Sequence, residues 1–284
     1  MGEMKREGLV LGMPEDEYHG GPEFSSSAAK EILKSPLHYK HVYIDGHREP
    51  KKAWDIGTAA HAMVLGTGAE TVVIPEALLA ANGAASTKAA KDFMTAARAA
   101  GQTPVKQGEF DDIKRMANAV LSNKDARLLF EQDRHSEASV FSSDAATGVR
   151  QRCRFDTITK SLLYAGDLKT TDDIAPQAVK MTVKKFKYHV QREMYDEIAA
   201  AADIELIDML FIFVEKKAPH DVVVYKFDED LREMGKREAA AARERLVRCR
   251  ETGIWPGRYD GIQLLKPAMA QVYDFQDEYE SETL

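Results

Sequence analysis

The chain has 284 residues, 44% of them apolar and 30% charged, which excludes disordered and fibrous classes and fits a globular protein with a full core. A net charge of −7 argues at first sight against a nucleic-acid partner. The two cysteines, Cys153 and Cys249, lack metal-ligand spacing, so no zinc or iron–sulfur site is expected and both read as packing residues.

No apolar run is long enough to span a bilayer, and no apolar stretch follows the charges of the first seven residues. No secretion signal and no membrane partner are therefore expected, and a cytoplasmic location is. Charge is unevenly placed. Residues 147–192 carry ten Lys/Arg against four Asp/Glu, a local excess of six, whereas 272–284 carry five acids and no base. The basic stretch has the character of a phosphate-binding footprint, with a solvated basic face as the plain alternative. No internal repeat or long linker divides the sequence, so 1–284 reads as a single domain with an acidic tail at 272–284.

In chain order, the serines at 25–27 cap a short helix over 28–34 that Ser35-Pro36 stops. Residues 58–65 predict an apolar helix with His61 in its middle, which taken alone reads as a buried, hydrogen-bonded core histidine. The alanine-rich stretch 77–100 predicts a helix interrupted near Asn82-Gly83, and 110–130 has helical spacing through Ile113, Met116, Val120 and Leu128. The pattern then changes to strands at 138–142, 149–159 and 162–168, the last two joined by a turn at Lys160-Ser161. A helix is predicted over 179–202, strands over 206–215 and 222–227, and a helix over 231–249 that Gly253 ends. Helices before and after a small mixed sheet make an α/β domain.

The chemistry concentrates between Arg152 and Lys169. Residues two apart on a strand share a face, so Asp167 and Lys169 project together, and a hairpin can bring Asp156 beside them. Paired carboxylates hold hard divalent cations, which act as Lewis acids towards a phosphodiester. A neighbouring lysine can orient water or offset charge building on phosphorus. Arg150, Arg152 and Arg154 alternate onto the face of Asp156 as a basic stripe, with Cys153 and Phe155 on the opposite, core face. Asp-x-Lys alone arises by chance in most proteins. One helix later, Gln191 and Tyr195 stand at i and i+4 on one face.

The order Gly57-Thr-Ala-Ala-His61, Arg152-Cys-Arg-Phe-Asp156, Gly166-Asp-Leu-Lys169 and Tyr188-His-Val-Gln-Arg-Glu-Met-Tyr195 resembles the exodeoxyribonuclease VIII (RecE)-like exonucleases. These form a branch of the PD-(D/E)xK superfamily related to lambda exonuclease and the RecB nuclease domain. The similarity runs from Tyr18-His-Gly-Gly-Pro22 to Trp255-Pro256. It implies a restriction-endonuclease-like core and a Mg²⁺-dependent exonuclease, Mn²⁺ substituting, that degrades linear double-stranded DNA 5′→3′ and leaves 3′ tails for strand annealing.

Carried over position by position, the resemblance makes Asp156 the shared metal ligand. Asp167, His61 and the Leu168 backbone carbonyl are further ligands, and Lys169 acts on the attacking water. Glu137 matches an upstream acid, and Gln191 and Tyr195 support the metal site and the DNA backbone. Ser25, Ser27 and Lys30, at a helix N-terminus, are candidates for a 5′-phosphate pocket, with a simple N-cap as the alternative. Arg150, Arg152 and Arg154 are candidate DNA contacts. The expected partners are DNA ends, a single-strand annealing protein and further copies of the chain, a tetramer fitting the nearest family and a trimer the lambda-type cousins. An internally cutting nuclease and a non-catalytic DNA-end-binding module are the rival readings. One departure stands out: Phe155 occupies the place of the superfamily's proline.

Overall fold

The computed structural model describes residues 6–47 and 56–279. It begins with strand β1 (Gly8–Val10), helices α1 (Glu15–Gly20) and α2 (Ser26–Lys34), and α3 (Pro36–Tyr39), which runs into a π-helical turn. Helix α4 (Ile56–Leu65), strand β2 (Thr71–Val73), α5 (Lys88–Ala99), β3 (Thr103–Val105), α6 (Gln107–Ser122) and α7 (Arg127–Phe130) follow. The central part is β4 (Arg134–Ser143), β5 (Arg150–Thr159), β6 (Tyr164–Thr171), α8 (Pro176–Phe186), α9 (Tyr188–Ala200), β7 (Asp208–Glu215) and β8 (Val222–Tyr225). Two helices close the chain, α10 (Glu229–Thr252) and α11 (Met269–Tyr279).

Six strands form one mixed sheet in the order β1-β4-β5-β6-β7-β8, antiparallel throughout except for the parallel pair β6–β7. That pair needs a crossover, which α8 and α9 supply. Strand β7 is buried on both faces and so reads as a continuous apolar run. Phe211 and Phe213 enter one core with Phe155, Met194, Ile198 and Leu246, while Ile212 and Val214 enter a second with Ile113, Met116, Val120 and Leu129. Helices α2, α9 and α10 thus cover one side, and α4, α6 and α7 the other. The expected α/β core, a mixed sheet flanked by helices, is the one observed.

Three predicted helices differ, each where a local side chain or backbone conformation overrides propensity. The segment 77–100 is helical only in α5 and a 3-10 turn at Glu76–Leu78; Asn82 Oδ1 accepts from Ala84 N–H, Gly83 sits at φ +74°, and Thr87 caps α5. The segment 110–130 is cut at Asn123, whose Oδ1 accepts from Asp125 and Ala126 N–H. The single helix expected over 179–202 is two, because Lys187 adopts φ 49° and ψ 50° and its ammonium pairs with Glu238 of α10 at 2.5 Å. That break turns α9 along α10. The close approach depends on Gly235, where a Cβ would lie 2.4 Å from the His189 carbonyl oxygen. The acidic tail is described to Tyr279, where α11 has no buried residue; residues 280–284 lie outside the described residues. Cys153 and Cys249 are free and buried, as expected. No helix among the described residues is long and apolar enough to cross a membrane.

Candidate metal centre

The site follows from strand register. Strands β4 and β5 pair Ser136 with Thr157 and Ala138 with Phe155, so Glu137 faces Asp156. Strands β5 and β6 pair Thr157 with Gly166, so the next position sets Asp156 against Asp167. Three acids therefore stand in a row across three neighbouring strands. Neither facing pair forms ladder bonds. Glu137 sits at φ 52°, a left-handed conformation uncommon for any residue but glycine and characteristic of functional sites. Beyond Thr157 and Gly166, β6 leaves β5 and continues with β7 alone. The Leu168 N–H, left without a partner on β5, donates to Asp156 Oδ2 at 2.7 Å. The fork between the strands is thus held by the carboxylate itself. Gly166 at its base packs so closely that a Cβ would come within 2.7 Å of Leu129 Cδ1.

His61, from α4, closes the cluster. Its Nε2 lies 2.7 Å from Asp156 Oδ2 and its Nδ1 3.7 Å from Glu137 Oε1. One ligand atom each from His61, Glu137 and Asp156 lie within 4.8 Å of one another. Like charges opposite one another on a sheet repel, so the row calls for a cation, and carboxylate oxygens with an imidazole suit a divalent one. The donor set fits a metal.

The titration behaviour carries the same signature. Burial lowers the His61 pKa, but Asp156 and then Glu137 outweigh it and push the imidazole up to about 9. Burial and the facing Asp156 raise Glu137 to about 7, against the pull of His61 and Arg154. Burial also opposes charge on Asp156, yet His61 and Lys169 hold its carboxyl below the usual range. Asp167 moves the other way: burial and Asp156 raise it more than Lys169 lowers it. A row of acids pushed apart in this way is characteristic of a functional site.

On the other flank, Lys169 Nζ contacts Asp167 Oδ1, and Gln191 Nε2 donates to Asp167 Oδ2. Lys30 Nζ in turn donates to Gln191 Oε1 at 3.3 Å. Burial disfavours charge on Lys169, but Asp167 and Asp156 prevail and raise it to about 12. The Tyr188 ring lies under both ammonium groups, 4.8 Å from Lys169 Nζ and 5.3 Å from Lys30 Nζ. Tyr195 is buried one turn beyond Gln191, edge-on to Phe155 with centroids 5.2 Å apart.

The structure thus brings together His61, Glu137, Asp156, Asp167, Leu168, Lys169, Gln191, Tyr195 and Lys30. Other candidates fall elsewhere. Ser25 is the N-cap of α2, its Oγ accepting from Ala28 N–H at 3.3 Å, and Ser27 is exposed. The basic stripe makes its contacts within the fold. Arg152 is buried against Glu23 and the His19 carbonyl, and Arg154 against Ser139 and the Met13 carbonyl; both stack on Tyr18. Arg150 pairs with Glu7 at 2.6 Å. Arg192, counted in the same basic stretch, is buried with Glu193, Asp196 and Asp208 and anchors α9. Sequence reasoning gave no separate role to Tyr188 or Gly235. Tyr188, aromatic and three residues before Gln191, carried a weak signal; Gly235 carried none beyond an unusual glycine inside a helix.

A family model described as "PDDEXK-like domain of unknown function (DUF3799)" matches residues 25–268, a span that includes every acid of the row, His61 and Lys169. The chain belongs to this PDDEXK-like family. A solved protein of Eubacterium rectale, provisionally named an exonuclease, aligns with 93% of this chain and 98% of its own at a TM-score of 0.59 and 11% identity, which supports the shared fold. A phage-related exonuclease from Haemophilus somnus aligns with 82% of this chain and 96% of its own, at 12% identity and a TM-score of 0.34. No curated protein matches. In this PDDEXK-like chain Phe155 stands before the first acid and is fully buried in the core, so its contribution is packing.

Proposed function

We propose that this PDDEXK-like protein is a Mg²⁺-dependent nuclease that hydrolyses linear double-stranded DNA from its ends, 5′→3′, releasing 5′-phosphomonoesters and leaving 3′ single-stranded tails. The observation that carries the reading is the row Glu137–Asp156–Asp167, flanked by His61 on one side and Lys169 on the other. A divalent cation held by His61, Glu137 and Asp156, with Asp167 and the Leu168 carbonyl alongside, would supply Lewis-acid charge at the phosphodiester. Lys169, which contacts Asp167, is placed to donate hydrogen bonds and positive charge to the attacking water or the phosphoryl oxygens. Gln191 fixes the Asp167 carboxylate, and Lys30 fixes Gln191.

End-directed action, polarity, a strand-annealing companion and a ring of subunits, tetrameric or trimeric, enter this proposal from the sequence resemblance. The exposed apolar residues Ile262, Leu264 and Leu265 suit a contact between subunits. The test compares linear with covalently closed duplex DNA, labelled at the 5′ or 3′ end, in Mg²⁺, Mn²⁺ or chelator. Early release of 5′ label from linear DNA alone, only with metal, is the expected result. Equal cutting of closed circles would make it an internally cutting enzyme, and end binding without hydrolysis in either metal a binding module.

A further inference from the structure

A cavity of about 590 Å³ lies away from the acid row, between the end of α2, the end of α10 and the segment that follows α10. Lys34, Arg245, Arg248 and Arg258 line it, with no carboxylate among its lining residues. Its wall is fixed: Leu37 N–H donates to the Pro256 carbonyl at 3.0 Å, and Arg245 to the Leu33 carbonyl at 3.1 Å.

Most of the described arginines are paired with carboxylates. In a chain of net charge −7, Arg150, Arg152, Arg154, Arg192, Arg232, Arg237 and Arg243 each pair with a carboxylate. Among the described residues no carboxylate pairs with Arg245, Arg248 or Arg258. Arginines near a helix C-terminus can simply offset its partial negative charge and cap its carbonyls. Here two last-turn carbonyls already have other donors: Thr252 Oγ1 reaches the Arg248 carbonyl at 2.7 Å, and Gly253 N–H the Cys249 carbonyl at 3.0 Å. Arg245, Arg248 and Arg258 all line the cavity. The cavity is also tied to the metal centre through α2. Lys30, which holds Gln191, and Lys34, in the cavity wall, are four residues apart, about 6 Å along the helix axis.

We propose that this cavity seats backbone phosphates of the DNA strand, as a second contact beyond the metal centre. The inference rests on the nuclease reading and adds to it where the strand is held. Arginine suits the role because its planar fork binds phosphate oxygens in pairs. Contacts of this kind carry no sequence information, so binding through the cavity is indifferent to base sequence.

The test is the salt dependence of binding to a fluorescent duplex with a single-stranded tail, measured by anisotropy in chelator so that no strand is cut. Arg248→Gln and Arg258→Gln remove groups with no carboxylate partner among the described residues, and thermal unfolding with and without Mn²⁺ checks that fold and metal site persist. The account predicts a slope of log K against log salt shallower by about 0.7–0.9 for each phosphate that the variant no longer neutralises. Inorganic phosphate and a nucleoside monophosphate serve as separate arms. If either raises the melting temperature of the wild type through these arginines while the DNA slope stays unchanged, the cavity is a small-phosphate site and the proposal is overturned. Wild-type binding with unchanged slopes in both folded variants also overturns it and leaves the nuclease reading standing. A wild type that neither binds nor cleaves DNA would remove both.

Discussion

The arginines of β5 and those at the end of α10 look alike in sequence, yet the fold uses them in opposite ways. Arg152 and Arg154 stand in the most basic stretch, beside the first acid, and are buried against Glu23, Ser139 and backbone carbonyls. Arg248 and Arg258 stand in an ordinary-looking helix end and loop, exposed and without a carboxylate partner among the described residues. Local net charge counts charges and does not say whether a partner arrives from elsewhere in the chain. Here Glu23 lies 129 residues from Arg152. A basic stretch marks a phosphate site only when the fold leaves its charges unpaired.

The largest expected effect separates the metal centre from everything else. Lys169→Ala or Asp167→Asn should lower the rate of DNA hydrolysis by about 10²–10⁴ with the fold intact, the range for charge-stabilising and proton-handling groups. A folded Lys169→Ala protein with wild-type turnover would break the assignment. Next, Arg152→Ala should destabilise by about 3 kcal/mol, because it leaves Glu23 buried without its cation. Arg248→Gln should move stability by no more than about 0.5 kcal/mol, as surface changes do. Urea or thermal melts of the two variants measure that contrast directly, and equal melts would dissolve the distinction between the two groups of arginines.

Smaller effects sharpen the picture of the site. Gly235→Ala should cost about 1–3 kcal/mol, as overpacking does, since its Cβ would meet the His189 carbonyl and force α10 away from the helix that carries Gln191. Its activity should fall with its stability, checked by assays below the melting range. pH provides a further lever. The folded-state pKa values of His61 and Glu137 lie above their ordinary values, at about 9 and about 7. Their contributions to stability are therefore full below the ordinary values and are lost as pH rises through about 7 and then about 9. The metal-free protein should melt progressively lower from pH 5 to pH 9, over the interval between the ordinary and shifted values. Stabilisation by added Mn²⁺ should grow over the same interval, because the cation displaces those protons. A metal-induced shift that does not change with pH would count against His61 and Glu137 as ligands.

How far the sequence could be read follows the same division. The strands carrying Asp156, Asp167 and Lys169, and the helix carrying Gln191, were legible because alternation and i,i+4 spacing are local properties. The helix end at Gly253 was legible because glycine past the last turn is a local signal, and the residue sits at φ +70°. The break at Lys187 was not, because a lysine in a left-handed conformation depends on Glu238 in another helix. By its sequence pattern Glu137 stands just before a strand, whereas it lies within β4, lifted from the ladder by its own positive φ. The alignment of the three acids across β4, β5 and β6 depends on two registers at once, and no single motif records it.

The claim on which the rest depends is that this row of acids, with His61, is a cation site. Anomalous diffraction from a Mn²⁺-soaked crystal of the intact protein tests it most directly. The account predicts a peak bounded by His61, Glu137 and Asp156, with Asp167 beside it, and loss of that peak in Asp156→Asn crystals. Full soaking that leaves the row without a peak, or a peak that persists in the Asp156→Asn protein, would contradict it.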